Sequence, residues 1–421
     1  MEETRPLGTL DIFGTEFENR DYVCQCLKKV YQSFGYDPLQ TPAIEFAEVF
    51  TGHHGEGEKL LFHIKDAQGK DLVLRYDMTV PFARFAADHP ELPRPIKRYQ
   101  MQMAYRDDAV DKGHFREFMQ CDGDVIGCKS LTADADVINL AVAGLKAVGF
   151  TDFTIRINHR DIIKGIAEEL GYKSKEDILR IQRALDCADK FGKAQASVDD
   201  FTQKLTDRNF SPVEIEKINA LVFDNFSFEK PEGLLKRTNN NSSVYHGLKE
   251  LQEIVSYLPR EALHHCVLDL TLARGADYYT GFILEGVIPN SGVGAVLGGG
   301  RYDNLVRNCG GNDIGCVGMA FGLDRICVAM ADADMYPKLL YSKVLIGTSK
   351  RPASRQMFEK ANTLRANGIN CDLSFDFFEY DEAVQYAKSR HFSGIIWDEE
   401  YTSLYDTPDY CDKVLKIWNG K

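Results

Sequence analysis

The sequence predicts an α+β protein: a core built on an antiparallel sheet, broken by a helical insertion and followed by a small α/β domain. Three observations lead there. Alternating strand patterns separated by short turns occupy about the first 150 residues. Short turns join antiparallel strands, whereas parallel strands need a long crossover. From about residue 159 to 258 the apolar residues fall at helical spacing instead, with Ser or Asp near the helix starts. Beyond the linker-like "DADMYPKLLYS", strand and helix patterns alternate, as in a small α/β unit.

In chain order, a helix over about residues 15–35 carries "YVCQCLKKVYQSFG". "LVLRYDMTV" then reads as a strand, with Arg75, Asp77 and Thr79 on one face and Leu74, Tyr76 and Met78 on the other. "IKRYQMQMAYR" and "HFREFMQCDGDV" flank "DDAVDKG" as a hairpin. Its period of two puts Gln102 and Arg106 on one face of the first strand. On the second strand one face holds Arg116, Phe118, Gln120, Asp122 and Asp124. "RDIIKGIAEELGYKSKEDILRIQRALDCADKFG" and "SPVEIEKINALVFDNF" are helical, and "KRTNNNSS" is a loop. "CVLDLTLA" and "GFILEGVIP" read as two strands approaching a turn, and that turn holds Arg274, Asp277, Tyr278 and Tyr279. Strands continue through "GVGAVLGGGRYDNLV" and "GCVGMAFGLDRICVAMA". The last part reads as strand "KVLIGTS", helix "ASRQMFEKANTLRANG", strand "NCDLSF", helix "YDEAVQYAKSRHF" and strand "SGIIWD". The expected domains are a core from 1–158 and 259–332, an insertion at 159–258, and a C-terminal domain at 343–421.

Composition narrows the class. A length of 421 residues suggests two or three domains. With 44% hydrophobic and 27% charged residues, the chain reads as an ordinary soluble protein. It has no apolar run approaching the roughly 18 residues of a membrane helix. The start "MEETRPLGTLDIFG" shows no basic region followed by an apolar core, so a cytoplasmic protein is expected. Eleven cysteines without a CxxC pair argue against a disulfide framework and a structural zinc site. A net charge of −13 excludes a uniformly basic nucleic-acid binder but leaves room for a local basic groove.

A sheet face that carries charges, amides and one aromatic is a poor core. It suits a solvated surface or the floor of a polar ligand site, and three such strands beside the Arg274 cluster favour the floor. The glycines within "GGGRYDNLV" and "GCVGMAFGLDRI" point the same way. Each costs conformational entropy unless something must approach the backbone closely, and a flat base or a phosphate chain would do so. Neither run fits GxxxxGK[ST], so a P-loop is excluded.

The segments resemble the three signature motifs of class II aminoacyl-tRNA synthetases and, more narrowly, the histidyl-tRNA synthetase family. "YDPLQTPAIE" is similar to motif 1, with its proline at Pro42; "YRDDAVDKGHFREFMQCD" to motif 2; and "GMAFGLDR", ending at Arg325, to motif 3. "ARGADYYTG" is similar to the histidine-specific signature, and "GGGRYDNL" to its companion. The resemblance covers about residues 5–332 well and the C-terminal domain loosely.

It implies a class II antiparallel sheet core with an anticodon-binding-like C-terminal domain, a homodimer formed through motif 1, and four ligands: histidine, ATP, Mg²⁺ and tRNA(His). The metal's own ligands stay unassigned. Carried position by position, Asp77, Thr79 and Gln120 would hold the α-amino group, and Asp124 and Tyr279, beside Tyr278, the imidazole. Arg106 and Arg274 would grip the α-phosphate and the attacking carboxylate. Phe118 and Arg325 would sandwich adenine, and Asp108 would accept from its exocyclic amine. His114 stands where the family has arginine near the γ-phosphate. The loop "DDAVDKG" is acidic where related loops are basic, "GTLD" replaces "GTRD", and the C-terminal domain is short. Three readings follow: a synthetase, a synthetase-like regulatory paralogue as in the regulatory subunit of ATP phosphoribosyltransferase, and an enzyme passing activated histidine to a non-tRNA acceptor.

Overall fold

Eight strands form the central sheet of the computed structural model. In chain order they are β1 (Asp37–Pro38), β2 (Ile96–Tyr105), β3 (Glu117–Ile126), β4 (Thr154–His159), β5 (Cys266–Leu268), β6 (Phe282–Val287), β7 (Leu297–Arg301) and β8 (Cys316–Gly322). Their spatial order is β1-β2-β3-β8-β7-β6-β4-β5. Every interior pairing is antiparallel, and only the two edge pairs are parallel. The α+β expectation therefore holds. The structure describes residues 4–51, 55–189, 195–222, 224, 226–273, 278–337, 342–349, 355–374, 379–405 and 408–419.

The register decides what the sheet can hold, because directly opposed residues share a face. One row runs Arg98, Asp124, Gly318, Gly300, Ile283 and Asn158. The next runs Gln100, Asp122, Ala320, Gly298, Glu285 and Arg156. A third holds Gln102, Gln120 and Gly322. The polar residues of β2 and β3 thus lie beside positions with almost no side chain on β7 and β8. On the opposite face helices cover the sheet. Helix Thr15–Ser33 buries Val23, Leu27 and Tyr31 at four-residue spacing. The Tyr31 ring stacks on Tyr99 of β2 at 5.4 Å, and a Cβ on Gly123 would come within 2.5 Å of it. Helix Leu131–Ala147 approaches so closely that a Cβ on Gly144 would lie 2.1 Å from the Phe321 ring.

Two strand expectations are corrected. "LVLRYDMTV" is extended only over Asp71–Leu74, in a separate three-stranded sheet with Ile44–Phe46 and His63–Lys65. Helix Thr79–Asp88 begins before the predicted strand ends. Asp77 accepts from the Val80 amide and serves the exposed donors of that helix start, so the alternation of Arg75, Asp77 and Thr79 is not that of a strand. "CVLDLTLA" is a strand only over β5. It forms no hairpin with β6, because β4 stands between them.

The helices between Arg160 and Ser256 carry their own apolar cluster, in which Ile163, Ile181, Phe201 and Ile215 pack with Leu272, Ala273 and Ile283. Contacts divide the chain into Met1–Leu10 with Val23–Asp334, and Asp11–Tyr22 with Met335–Lys421. The second unit has a four-stranded sheet ordered Asn370–Leu373, Lys343–Gly347, Gly394–Trp397 and Glu400–Ser403, the last antiparallel. Glu400–Ser403 and helix Pro408–Trp418 were not foreseen.

Candidate active site

The ends of β2, β3 and β8 meet around one pocket. Arg106 follows the last residue of β2. Its Nε donates to the Tyr76 carbonyl at 3.1 Å, and its guanidinium lies 4.2 Å from the Tyr76 ring and 4.9 Å from the Phe118 ring. Arg325 stands in the first turn of helix Leu323–Asp332 and donates to the Ala295 carbonyl at 2.8 Å. Gly294 makes room for it, since a Cβ there would sit 3.1 Å from Nη1. Arg106, His114, Phe118, Gln120 and Arg325 line the pocket together. Two fixed guanidinium groups flanking an aromatic ring can hold a planar base and a phosphate chain.

His114 sits between charges of both signs. Its Nε2 is 3.6 Å from Asp108 and its Nδ1 4.0 Å from Asp111. Burial holds its pKa below the usual histidine range, assisted by Arg325 and opposed by the two aspartates, which favours the neutral ring. Asp108 turns one carboxylate oxygen to the Ala109 amide.

Beyond the pocket lies a buried acidic cluster. Asp122 and Asp124 are both nearly inaccessible, as are Arg98 and Gln100. Arg98 Nη2 lies 2.9 Å from Asp124 Oδ2 and 4.0 Å from Asp122 Oδ2, and donates to the Met78 carbonyl at 2.8 Å. Tyr302 donates to Asp124 Oδ1 at 2.6 Å. Burial is the first cause of a raised Asp124 pKa, and Arg98 and the Tyr302 hydrogen bond oppose it. Gly318 is required here, because a Cβ would lie 1.9 Å from Asp124 Oδ1. The glycines of the strand thus leave space for a carboxylate rather than for a bound base alone. A carboxylate held in this way, beside aromatic hydroxyls, can orient a small cationic or N–H-bearing ring.

Five of the sequence-selected residues therefore share the pocket, while Asp77 and Asp124 lie in or beside the acidic cluster, to whose electrostatics both contribute. Thr79 opens its helix next to Asp77. The Tyr278 and Tyr279 rings are 4.7 Å apart, and Tyr278 lies 6.0 Å from Tyr302. Arg274 lies outside the described residues, as does Asp277. Sequence reasoning missed Arg98, Gln100, Tyr302, Glu285 and Asp324. Arg98 and Gln100 share the alternation that selected Gln102 and were accessible to it. Glu285 and Asp324 enter the pocket from β6 and the last helix of the core, which no local pattern joins to β3.

The fold is that of solved histidyl-tRNA synthetases. The crystal structure of histidyl-tRNA synthetase from Nostoc sp. PCC 7120 superposes with a TM-score of 0.77 over 98% of this chain and 99% of that one, at 23% identity. A Bacillus halodurans structure described as an ATP phosphoribosyltransferase regulatory subunit/histidyl-tRNA synthetase gives 0.74 over 94% and 98%, also at 23% identity. Residues 8–326 match the sequence profile of histidyl-tRNA synthetase. The histidine–tRNA ligase of Aeropyrum pernix is 36% identical over 83% of this chain and 80% of its own, and that of Cytophaga hutchinsonii 34% over 94% and 92%. The chain belongs to the histidyl-tRNA synthetase family.

Proposed function

We propose that this protein is a histidine–tRNA ligase, which activates histidine with ATP and transfers it to tRNA(His). The observation that carries the reading is the junction of two chemistries. An aromatic pocket with Arg106, Phe118, Gln120 and Arg325 in its lining shares strand β3 with a buried carboxylate, Asp124, held by Arg98 and Tyr302. This supports reading the first as the site for an anionic chain and the second as the site for a small polar ring.

In the first half-reaction a histidine carboxylate oxygen attacks the α-phosphorus. The new C–O–P linkage forms as the bond to the β-phosphate breaks, and pyrophosphate leaves. Two anions must meet, so Arg106 and Arg274 neutralise the approach and stabilise the charge that develops. Phe118 and Arg325 hold the adenine, with Asp108 at its amine and His114 near the phosphate tail. Asp77, Thr79 and Gln120 take the α-amino group, and Asp124 and Tyr279, beside Tyr278, the imidazole. In the second half-reaction a terminal ribose hydroxyl of the tRNA attacks the activated carbonyl, and AMP leaves. Mg²⁺, when bound with ATP, would shield the phosphate charge, and Glu285 and Asp324, which line the pocket, would be its carboxylate partners; among the described residues no group of three His, Cys, Asp or Glu forms a complete protein cage.

The core at 1–158 and 259–332, the insertion at 159–258 and the C-terminal domain at 343–421 are read as synthetase parts, the last as anticodon-binding-like. The protein is read as a cytoplasmic homodimer; among the described residues no helix is long and apolar enough to cross a membrane. The regulatory reading would leave Arg106, Phe118 and Arg325 without a task. Histidine-dependent ATP–pyrophosphate exchange, followed by charging of a cognate transcript, tests the proposal. Exchange with charging is expected. Exchange without charging would favour the non-tRNA acceptor, and no exchange the regulatory paralogue.

A further inference from the structure

The segment that leads into the histidine-specific signature leaves the sheet but not β4. β5 ends at Leu268, and the Asp269 amide still donates to the Ile157 carbonyl at 2.9 Å. Past that point side chains replace the backbone ladder. Arg156 Nε donates to Asp269 Oδ2 at 2.8 Å and its Nη2 to Thr271 Oγ1 at 2.7 Å. Asn158 Nδ2 donates to the Leu272 carbonyl at 2.8 Å, and Arg160 Nη1 to the Ala273 carbonyl at 3.1 Å. Alternate residues of one run, which share a face along a strand, thus grip successive stations of the segment. The last grip falls on the residue before Arg274.

Arg160 also holds the far flank. Its backbone amide donates to the Gly281 carbonyl at 3.0 Å, while the Thr280 amide donates to the Arg301 carbonyl at 2.7 Å. A Cβ on Gly281 would lie 3.2 Å from the Arg301 side chain, so this flank is seated against the end of β7. One residue therefore joins Ala273 to Gly281, the two sides of the signature. Helix stability does not account for an arginine there. Arg160 opens helix Arg160–Glu169, where His159 already accepts from the Asp161 amide as the cap and where the helix dipole disfavours a cation.

The covalent chain gives the grip its consequence. The Ala273 carbonyl and the Arg274 amide nitrogen belong to one planar peptide unit, so fixing that oxygen orients the plane from which Arg274 continues. Ala273 is itself fully buried, packed with the apolar cluster of the insertion helices. We propose that Arg160 is a positioning residue for Arg274, acting through the Ala273 peptide and not on substrate. This deepens the reading of Arg274 as the arginine at the α-phosphate and rests on it. It also gives the start of the insertion a task in activation, the half-reaction that needs no tRNA.

The test is the kinetics of pyrophosphate exchange. Arg160→Met keeps the aliphatic stem and removes the donors. It should lower kcat about 10- to 100-fold, the scale of a misplacement near 1 Å, with the KM for histidine and for ATP little changed. Arg160→Lys retains a donor; it should recover part of the loss and serves if the first variant does not fold. In an Arg274→Ala background Arg160→Met should cost little more, because the group it positions is gone. Multiplicative losses in the double variant, raised KM values with kcat unchanged, or full activity in folded Arg160→Met would overturn the proposal and leave Arg160 as a structural tie between insertion and core. Arg274→Ala as active as wild type, or wild type without histidine-dependent exchange, would instead overturn the reading on which the proposal rests.

Discussion

At Gly318 one hydrogen atom decides whether Asp124 keeps its place. A Cβ there would meet Asp124 Oδ1 at 1.9 Å and its Cα at 2.9 Å, and the strand is pinned between β3 and β7. Gly318→Ala should therefore displace the carboxylate. We expect the KM for histidine in pyrophosphate exchange to rise roughly tenfold or more, with the KM for ATP little changed. Asp124→Asn keeps the shape and should show the same split; equal weakening of both substrates would contradict the assignment. His114 offers a pH signature. Its folded pKa is lowered chiefly by burial, so in the free protein the ring is neutral at and above its ordinary range near 6.5. Bound triphosphate favours the charged ring, so ATP affinity should strengthen as pH falls below that range. His114→Arg should strengthen ATP binding and remove the dependence, which calorimetry between pH 8 and 5.5 would detect. For Arg274 the proposed role is to stabilise the α-phosphate as the carboxylate attacks. Arg274→Ala should lower exchange about 10²- to 10³-fold without altering the circular dichroism spectrum.

Among the elements, β7 is tied to helix Leu131–Ala147 by a buried ion pair. Arg301 Nε donates to Asp134 Oδ1 at 2.9 Å and its Nη2 to Oδ2, with further bonds to the carbonyls of Cys128 and Ser130 and to Asp303. Removing one partner strands a charge in a low dielectric, so Asp134→Ala should lower unfolding stability by roughly 3–5 kcal/mol in denaturant titration. The double replacement by apolar residues should restore part of it. At this scale the sequence was uneven to read. The β2–β3 hairpin was legible because ten residues alternate on each side of a polar turn. The segment after Leu74 was not, because Asp77 caps a helix while keeping a strand-like alternation with Arg75 and Thr79. β5 was read too long because Leu268 through Ala273 are all buried, apolar and polar alike, so alternation there marks no exposed face. Of the site, the residues on consecutive alternate positions were visible. Tyr302, Glu285 and Asp324 come from distant elements: Glu285 meets β3 through the register, Tyr302 by donating to Asp124, and Asp324 by accepting from the Met119 amide.

The whole molecule carries a net charge of −13, yet the proposed second substrate is a polyanion. Counterion release scales with the number of phosphates neutralised. With Asp107, Asp108 and Asp111 in the motif 2 loop, tRNA affinity should be modest and should change little between low and moderate salt, as filter binding would measure. Steep salt dependence would locate a basic groove elsewhere on the surface. The apolar row of Phe46, Leu72 and Ile64, with Ile44 and Leu74 beside it, lines one face of the three-stranded sheet. Phe46 is 47% and Ile44 50% exposed, which fits burial against a second copy. Light scattering should report a dimer at micromolar concentration, and Phe46→Asp should shift it to monomer.

The strand order also sets a timetable. β3 carries Asp122 and Asp124, but its neighbour β8 lies roughly 190 residues further along the chain. At about 5–20 residues per second of synthesis, the hairpin emerges roughly 10 to 40 seconds before the strand that completes its floor. During that interval its acidic face has Arg98, with Arg106 at the strand's end, as cationic partners within the hairpin. Until β8 has been made, the edge of β3 that it will cover has no strand to pair with, the kind of open edge that invites mispairing.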